Sequence, residues 1–205
     1  MTIVTISSAY GALGGEVGPI VAERLGVPFL DRAIPTEVAE ALAVPVEEAQ
    51  SHDESLSGFV ERLLRTFVLM GGVYGGTVPP YTDYRDGDAF RTATEEAIRR
   101  HAASGAGVIL GRAGMIVLAD QPHVLRVRLS GPLEARIEQA MARYGLTREQ
   151  ARRQERENDG ARAAWVTHFY GRDWADPSLY DLVINATRFG VDECVALIVT
   201  AAGAV

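Results

Sequence analysis

The stretch from Thr2 to Leu25, TIVTISSAYGALGGEVGPIVAERL, constrains the fold more than any other. Ile3, Val4 and Ile6 form a short apolar run of the kind a parallel sheet buries on both faces, and Ile20, Val21 and Leu25 recur at helical spacing. Between strand and helix lies Tyr10-Gly11-Ala12-Leu13-Gly14-Gly15. A strand that ends in glycines and runs into a helix N-terminus exposes backbone N–H groups where the helix dipole favours an anion. The turn has the chemistry of a phosphate seat, although parallel α/β proteins also use such turns for packing alone. The side-chain half of a Walker phosphate loop is missing. That motif needs Gly, four residues, Gly, then Lys and Ser/Thr, so that an ammonium reaches the β/γ-phosphates and a hydroxyl touches Mg²⁺. Here Glu16 and Val17 follow Gly15, and the pattern's first glycine falls on Tyr10.

Downstream, the chain alternates. Val27–Leu30 reads as a second strand ending at Asp31, whose carboxylate either faces the ligand edge of the sheet or caps the next helix. Residues 32–50 have helical spacing interrupted by Pro35 and Pro45, and Leu56, Phe59, Val60, Leu63, Leu64, Phe67 and Val68 mark an amphipathic stripe. This stripe suits a core or a subunit contact, hence a possible homo-oligomer. Residues 71–87, rich in Gly, Pro, Tyr and Asp, read as a long loop. A helix over 88–103 leads to the strand Val108–Leu110, which ends in Gly111-Arg112. A guanidinium there is placed either to grip a phosphate bidentately or to serve a structural ion pair. A fourth strand, Val124–Leu129, precedes a helix from Pro132 to about Tyr144. Thr147 caps a highly charged helix through residue 174, along which Arg156, Asp159 and Arg162 share one side at intervals of three. The strand Leu182–Asn185 and a helix over 192–202 close the chain.

Charge and composition narrow the functional classes. A net charge of −7 and a pI near 5.1 give no global basic field, so a nucleic-acid partner is not expected. The segments show no signal peptide and no apolar run of about 18 residues, so the expectation is a cytoplasmic protein with no membrane partner. The four histidines fit no metal spacing, and the single cysteine, Cys194, lies in an apolar helical run that suits a buried thiol. A length of 205 residues fits one domain spanning 1–205.

Four stretches together resemble the cytidylate kinase-like family of nucleoside monophosphate kinases. They are SSAYGALGGEVGPIVAERLGVPFLDRAI, VILGRAGMIVLADQPHVLRVRLSGPLEARI, ENDGARAAW with the preceding Arg156, and SLYDLVINATRFGVDECVALI. The resemblance covers residues 2–31 and 106–200. It implies an α/β, three-layer P-loop nucleoside-kinase-like fold: a five-stranded parallel sheet with helices on both faces, a substrate-side helical insertion over 32–105, and a helical lid over 146–176. It also implies ATP-dependent phosphoryl transfer to a nucleoside monophosphate, most simply CMP, with ATP and Mg²⁺ as cofactors. By the same resemblance Gly11, Gly14 and Gly15 bind phosphate, Asp31 and Arg112 orient the acceptor, Arg156 and Arg162 neutralise the transferring phosphoryl, and Asp159 positions them. No metal ligand is implied among the side chains, with Ser7 or Ser8 as hydroxyl contacts. Two positions depart from the family pattern. Glu16 replaces the loop lysine, where it would repel ATP, and Ala113 replaces the aspartate after Gly-Arg. The alternative these departures imply is a nucleotide- or phosphate-binding protein that kept the fold and lost the chemistry.

Overall fold

The computed structural model describes residues 2–31 and 87–205. Five strands form one sheet: β1 (Ile3–Ser8), β2 (Phe29–Asp31), β3 (Gly107–Leu110), β4 (Val124–Ser130) and β5 (Leu182–Asn185). They lie in the order β2-β3-β1-β4-β5, and every pairing is parallel. The five strands coincide with the apolar runs of the sequence because a parallel strand buried on both faces reads as a continuous hydrophobic segment.

Around the sheet lie α1 (Gly14–Leu25), α2 (Gly87–Ala102), α3 (Gly114–Val117), α4 (Leu133–Tyr144), α5 (Arg148–Tyr170) and α6 (Val191–Ala202), with a 3₁₀ turn at Pro177–Leu179. Val4, Ile6, Leu125, Val127 and Leu129 share one sheet face by their register, and they cluster with Val17 and Val21 of α1 and Val195 and Ile198 of α6. On the opposite face Ile3, Ile109 and Val124 pack with Ile98 of α2 and Val117 of α3. Helices therefore cover both faces, and the three-layer expectation is met. Cys194 is fully buried in the α6 face, and burial pushes its thiol pKa up.

The connections leave β1 and β4 in opposite directions, towards β2 and β5, which opens a crevice at their carboxyl ends. Two elements differ from the sequence reading. The charged helix stops at Tyr170, where Gly171 takes the left-handed conformation (φ 61°), so Trp174 lies beyond it. The single turn α3 has no periodicity to announce it, being only four residues long. The two proline-interrupted helices of 32–50, the Leu56–Val68 stripe and the loop from 71 to 86 lie outside the described residues.

Candidate nucleotide site

The β1–α1 turn leads directly into the first turn of α1. Leu13 caps α1 in the left-handed conformation (φ 66°), and the first helical N–H groups that find an acceptor are those of Glu16 and Val17, both on Leu13 O. The N–H groups of Gly14 and Gly15 head the helix, where such groups have no intrahelical partner. The glycines act differently. A Cβ at Gly11 would meet Arg136 O at 2.3 Å, and one at Gly14 would meet Ser8 Cβ at 2.4 Å, so both are fixed by packing. At Gly15 no heavy atom outside its own chain neighbours and helix backbone lies within 4 Å of that position, among the described residues, which leaves the backbone open to an approaching ligand.

The turn forms the floor of a cavity of about 310 Å³. Its walls come from the β3–α3 turn (Gly111, Arg112, Ala113), from α5 (Asn158, Arg162, Trp165, Val166), and from Tyr144 and Trp174. Arg112 and Ala113 both adopt positive φ (53° and 55°), a conformation that costs a non-glycine residue energy and commonly accompanies functional turns. Gly11, Gly14, Gly15, Arg112 and Arg162 thus line one space. Asp31 ends β2 in register with Leu110, the residue before the Gly111-Arg112 turn. Arg156 is exposed on α5 and does not line the cavity.

Asp159 joins the turn to α5. Its carboxylate accepts the Tyr10 N–H at 2.8 Å, Arg136 Nη1 at 2.8 Å and Arg162 Nη1 at 2.9 Å. The Arg162 pKa is held below its usual value, chiefly by burial; the Asp159 charge opposes this and repulsion from Arg136 and Arg128 reinforces it. The guanidinium remains charged, since no such shift brings an arginine near neutral pH. Glu155, beside Asp159, has its pKa raised by burial and by the Asp159 charge, with Arg136 opposing.

Arg136, on the first turn of α4, escapes the sequence reading. It is 8% exposed, and it donates to Tyr10 O (2.8 Å) and Gly131 O (3.1 Å) as well as to Asp159. Gln139, one turn on, donates to Gly11 O at 2.8 Å. Two loop carbonyls are therefore tied to α4. The available signal was an arginine beside the apolar positions Ile137 and Ala140, where a charged side chain needs buried partners. Tyr10 adds a further tie, its hydroxyl donating to Gln154 Oε1 at 2.6 Å, and burial together with the nearby Tyr144 raises its pKa to about 12.

Glu16 forms an ion pair with Arg143 of α4 and does not line the cavity. The hydroxyls of Ser7 and Ser8 do line it, but both have protein partners. Ser7 Oγ accepts from Trp174 Nε1 at 2.7 Å, and Ser8 Oγ donates to Ala9 O at 3.2 Å. Among the described residues no group of three or more His, Cys, Asp or Glu side chains is placed to hold a metal.

The comparisons with known proteins agree with this architecture. A cytidylate kinase from Methanopyrus kandleri is 36% identical over 109 residues, covering 49% of this chain and 56% of that enzyme. The match thus spans little more than half of the curated relative. Among solved structures, one from Eubacterium ventriosum ATCC 27560, titled as an uncharacterized protein, superposes with a TM-score of 0.64 at 18% identity, covering 99% of both chains. A gluconokinase from Sinorhizobium meliloti 1021 gives a TM-score of 0.51 at 16% identity, over 98% of this chain and 91% of that one. These two likenesses concern the fold alone. The model of the cytidylate kinase-like family matches residues 3–188, and the chain belongs to that family.

Proposed function

We propose that the cavity is the phosphoryl-transfer site of an ATP-dependent nucleoside monophosphate kinase whose acceptor is CMP. The observation that carries this reading is the meeting of Gly11, Gly14, Gly15, Arg112 and Arg162 around one space at the carboxyl edge of the sheet. The open backbone at Gly15 and the leading N–H groups of α1 suit the ATP phosphates. Arg112 and Asp31 orient the acceptor monophosphate. An acceptor phosphate oxygen attacks the γ-phosphorus, the bond to the β–γ bridging oxygen breaks, and ADP leaves with that electron pair. Arg162, held by Asp159, neutralises the charge on the transferring group, and Arg156, on the same helix, adds to it when α5 closes as a lid. Mg²⁺, if bound with the nucleotide, would supply further charge neutralisation, and it would be held by waters and substrate phosphates, the ligands it commonly keeps. The unit of function is one domain spanning 1–205; most of the expected acceptor-side insertion, residues 32–86, lies outside the described residues.

The test is ADP release with Mg-ATP across the nucleoside monophosphates. CMP gives the highest kcat/KM, and Arg112→Ala raises the KM for CMP by about tenfold or more, the loss expected of a bidentate phosphate contact. Turnover of no acceptor above the blank would sink the reading. Glu16 and Ala113 favour the second reading, a non-catalytic nucleotide-binding protein, which is distinguished by ATP binding in calorimetry without ADP release.

A further inference from the structure

Arg128 stands in the middle of β4, opposite Ser7 in the β1–β4 register and on the same sheet face. It is 7% exposed. Its Nη1 donates to Trp174 O at 2.7 Å and to the Tyr180 hydroxyl at 3.2 Å, and its guanidinium carbon lies 4.2 Å from the centroid of the Trp174 ring and 5.4 Å from that of Tyr180. Among the described residues no carboxylate lies within ion-pair distance of it. The contrast with its neighbours is informative. Arg126, two residues earlier on the same face, is held by Asp181 through Nε and Nη2, and Arg136 and Arg162 share Asp159.

Burying a guanidinium without a counter-charge is expensive, and two aromatic faces with two neutral acceptors offset only part of that cost. The remaining positive potential is directed by position. Ser7 and Trp174 both line the cavity, and the indole N–H of Trp174 is bonded to Ser7 Oγ, so Arg128 lies one layer behind the wall. At such partly buried sites a charge acts over several ångströms with far less screening than in water. Arg162, which lines the cavity, has its guanidinium carbon 6.0 Å from the centroid of the same Trp174 ring, so this one indole lies between Arg128 and the cavity wall.

We propose that Arg128 is a positioning residue of the phosphate site, which supplies from behind Ser7 and Trp174 the positive charge that the loop lacks at Glu16. The proposal rests on the reading of the cavity as a phosphate site. Trp174 transmits the interaction: it is stacked on the guanidinium, bonded to the loop-proximal Ser7, and in contact with the cavity. An anion drawn towards Arg128 therefore alters the surroundings of this indole.

The probe is inorganic tripolyphosphate, which carries no base and needs no turnover, titrated by calorimetry into the full chain. Arg128→Met weakens its binding by about tenfold or more, whereas Arg128→Lys, which keeps the charge, stays within about threefold of the parent. Arg126→Met, on the same strand but aimed at Asp181, leaves the affinity unchanged. In a Trp165→Phe background, where Trp174 is the remaining indole, tripolyphosphate shifts the emission, and this measurement needs no change at Arg128. Equal binding by Arg128→Met and the parent overturns the proposal, and so does calorimetric binding with no change in Trp174 emission. Failure of the parent chain to bind tripolyphosphate at all overturns the phosphate-site reading itself, which separates the two failures.

Discussion

Glu16 occupies the position where a phosphate loop carries its lysine, and its ion pair with Arg143 turns an expected repulsion into a contact between α1 and α4. Backbone groups are thereby left as the loop's own contribution, which makes the three glycines testable one by one. Gly15→Ala adds a methyl group to open space at a helical position, so the fold gains about 0.4–1 kcal/mol while phosphate approach is obstructed. Gly14→Ala forces its Cβ against Ser8 and destabilises the fold as overpacking does, by about 1–3 kcal/mol. Thermal melts and tripolyphosphate titration of both variants check this. A Gly15→Ala protein that binds as tightly as the parent would show that the opening over Gly15 is not a ligand approach. At this scale the sequence was legible where backbone chemistry decides. The glycine turn and the strand-end and helix-face arginines mark Gly11, Gly14, Gly15, Arg112 and Arg162, and the fold brings all five to one cavity. Arg136 and Arg128 carry no such mark, because an arginine in an amphipathic helix or a strand reads as a solvated side chain until its burial is known.

Among the elements, the five strands were legible because each is a short apolar run bounded by turn residues, and α5 because Thr147 and Gln150 form a reciprocal capping box. The hidden part was how elements are tied together. Asp159 fastens α5 to the loop after β1, and Asp181 fastens the start of β5 to β4, accepting the Arg126 N–H at 2.9 Å and Arg126 Nε at 2.9 Å. Neither partner is adjacent in sequence, so no local pattern foretells the contact. The Asp181 pair has a pH signature. Hydrogen bonding from Arg126 holds the Asp181 carboxyl below its ordinary value, so the folded state binds that proton less readily than the unfolded chain. The stabilisation is present above the unfolded aspartate value of about 3.9 and is lost as pH falls through the lower folded value. Because solvent reaches both side chains, Asp181→Asn costs only about 1 kcal/mol near neutral pH. Denaturant unfolding of the two proteins should converge as the pH is taken below that of the folded carboxyl. A constant difference across the titration would assign the loss to packing instead.

The whole molecule carries a net charge of −7, yet it assembles arginines from four separate elements around or behind one cavity: the β3–α3 turn, β4, α4 and α5. Long-range attraction of an anion is therefore weak, and affinity has to come from local charge and backbone donors. Such a site couples its walls. The β1–α1 turn and α5 already share Asp159, and the segment that follows α5 reaches the end of β1 through the Trp174–Ser7 hydrogen bond. A ligand that contacts both the turn and Arg162 stabilises the turn and α5 together. At a free concentration of one hundred times Kd the added stability is about 2.7 kcal/mol, which for a chain of this size raises Tm by roughly 5–10 °C. The rise in Tm alone does not locate the contacts, because any ligand of equal affinity produces it. Hydrogen exchange does. With tripolyphosphate or Mg-ATP bound, protection rises both in the turn at Tyr10–Val17 and in the stretch of α5 from Asn158 to Val166. Protection confined to the turn would mean that α5 takes no part in holding the ligand, and the lid role assigned to Asp159 and Arg162 would fail with it.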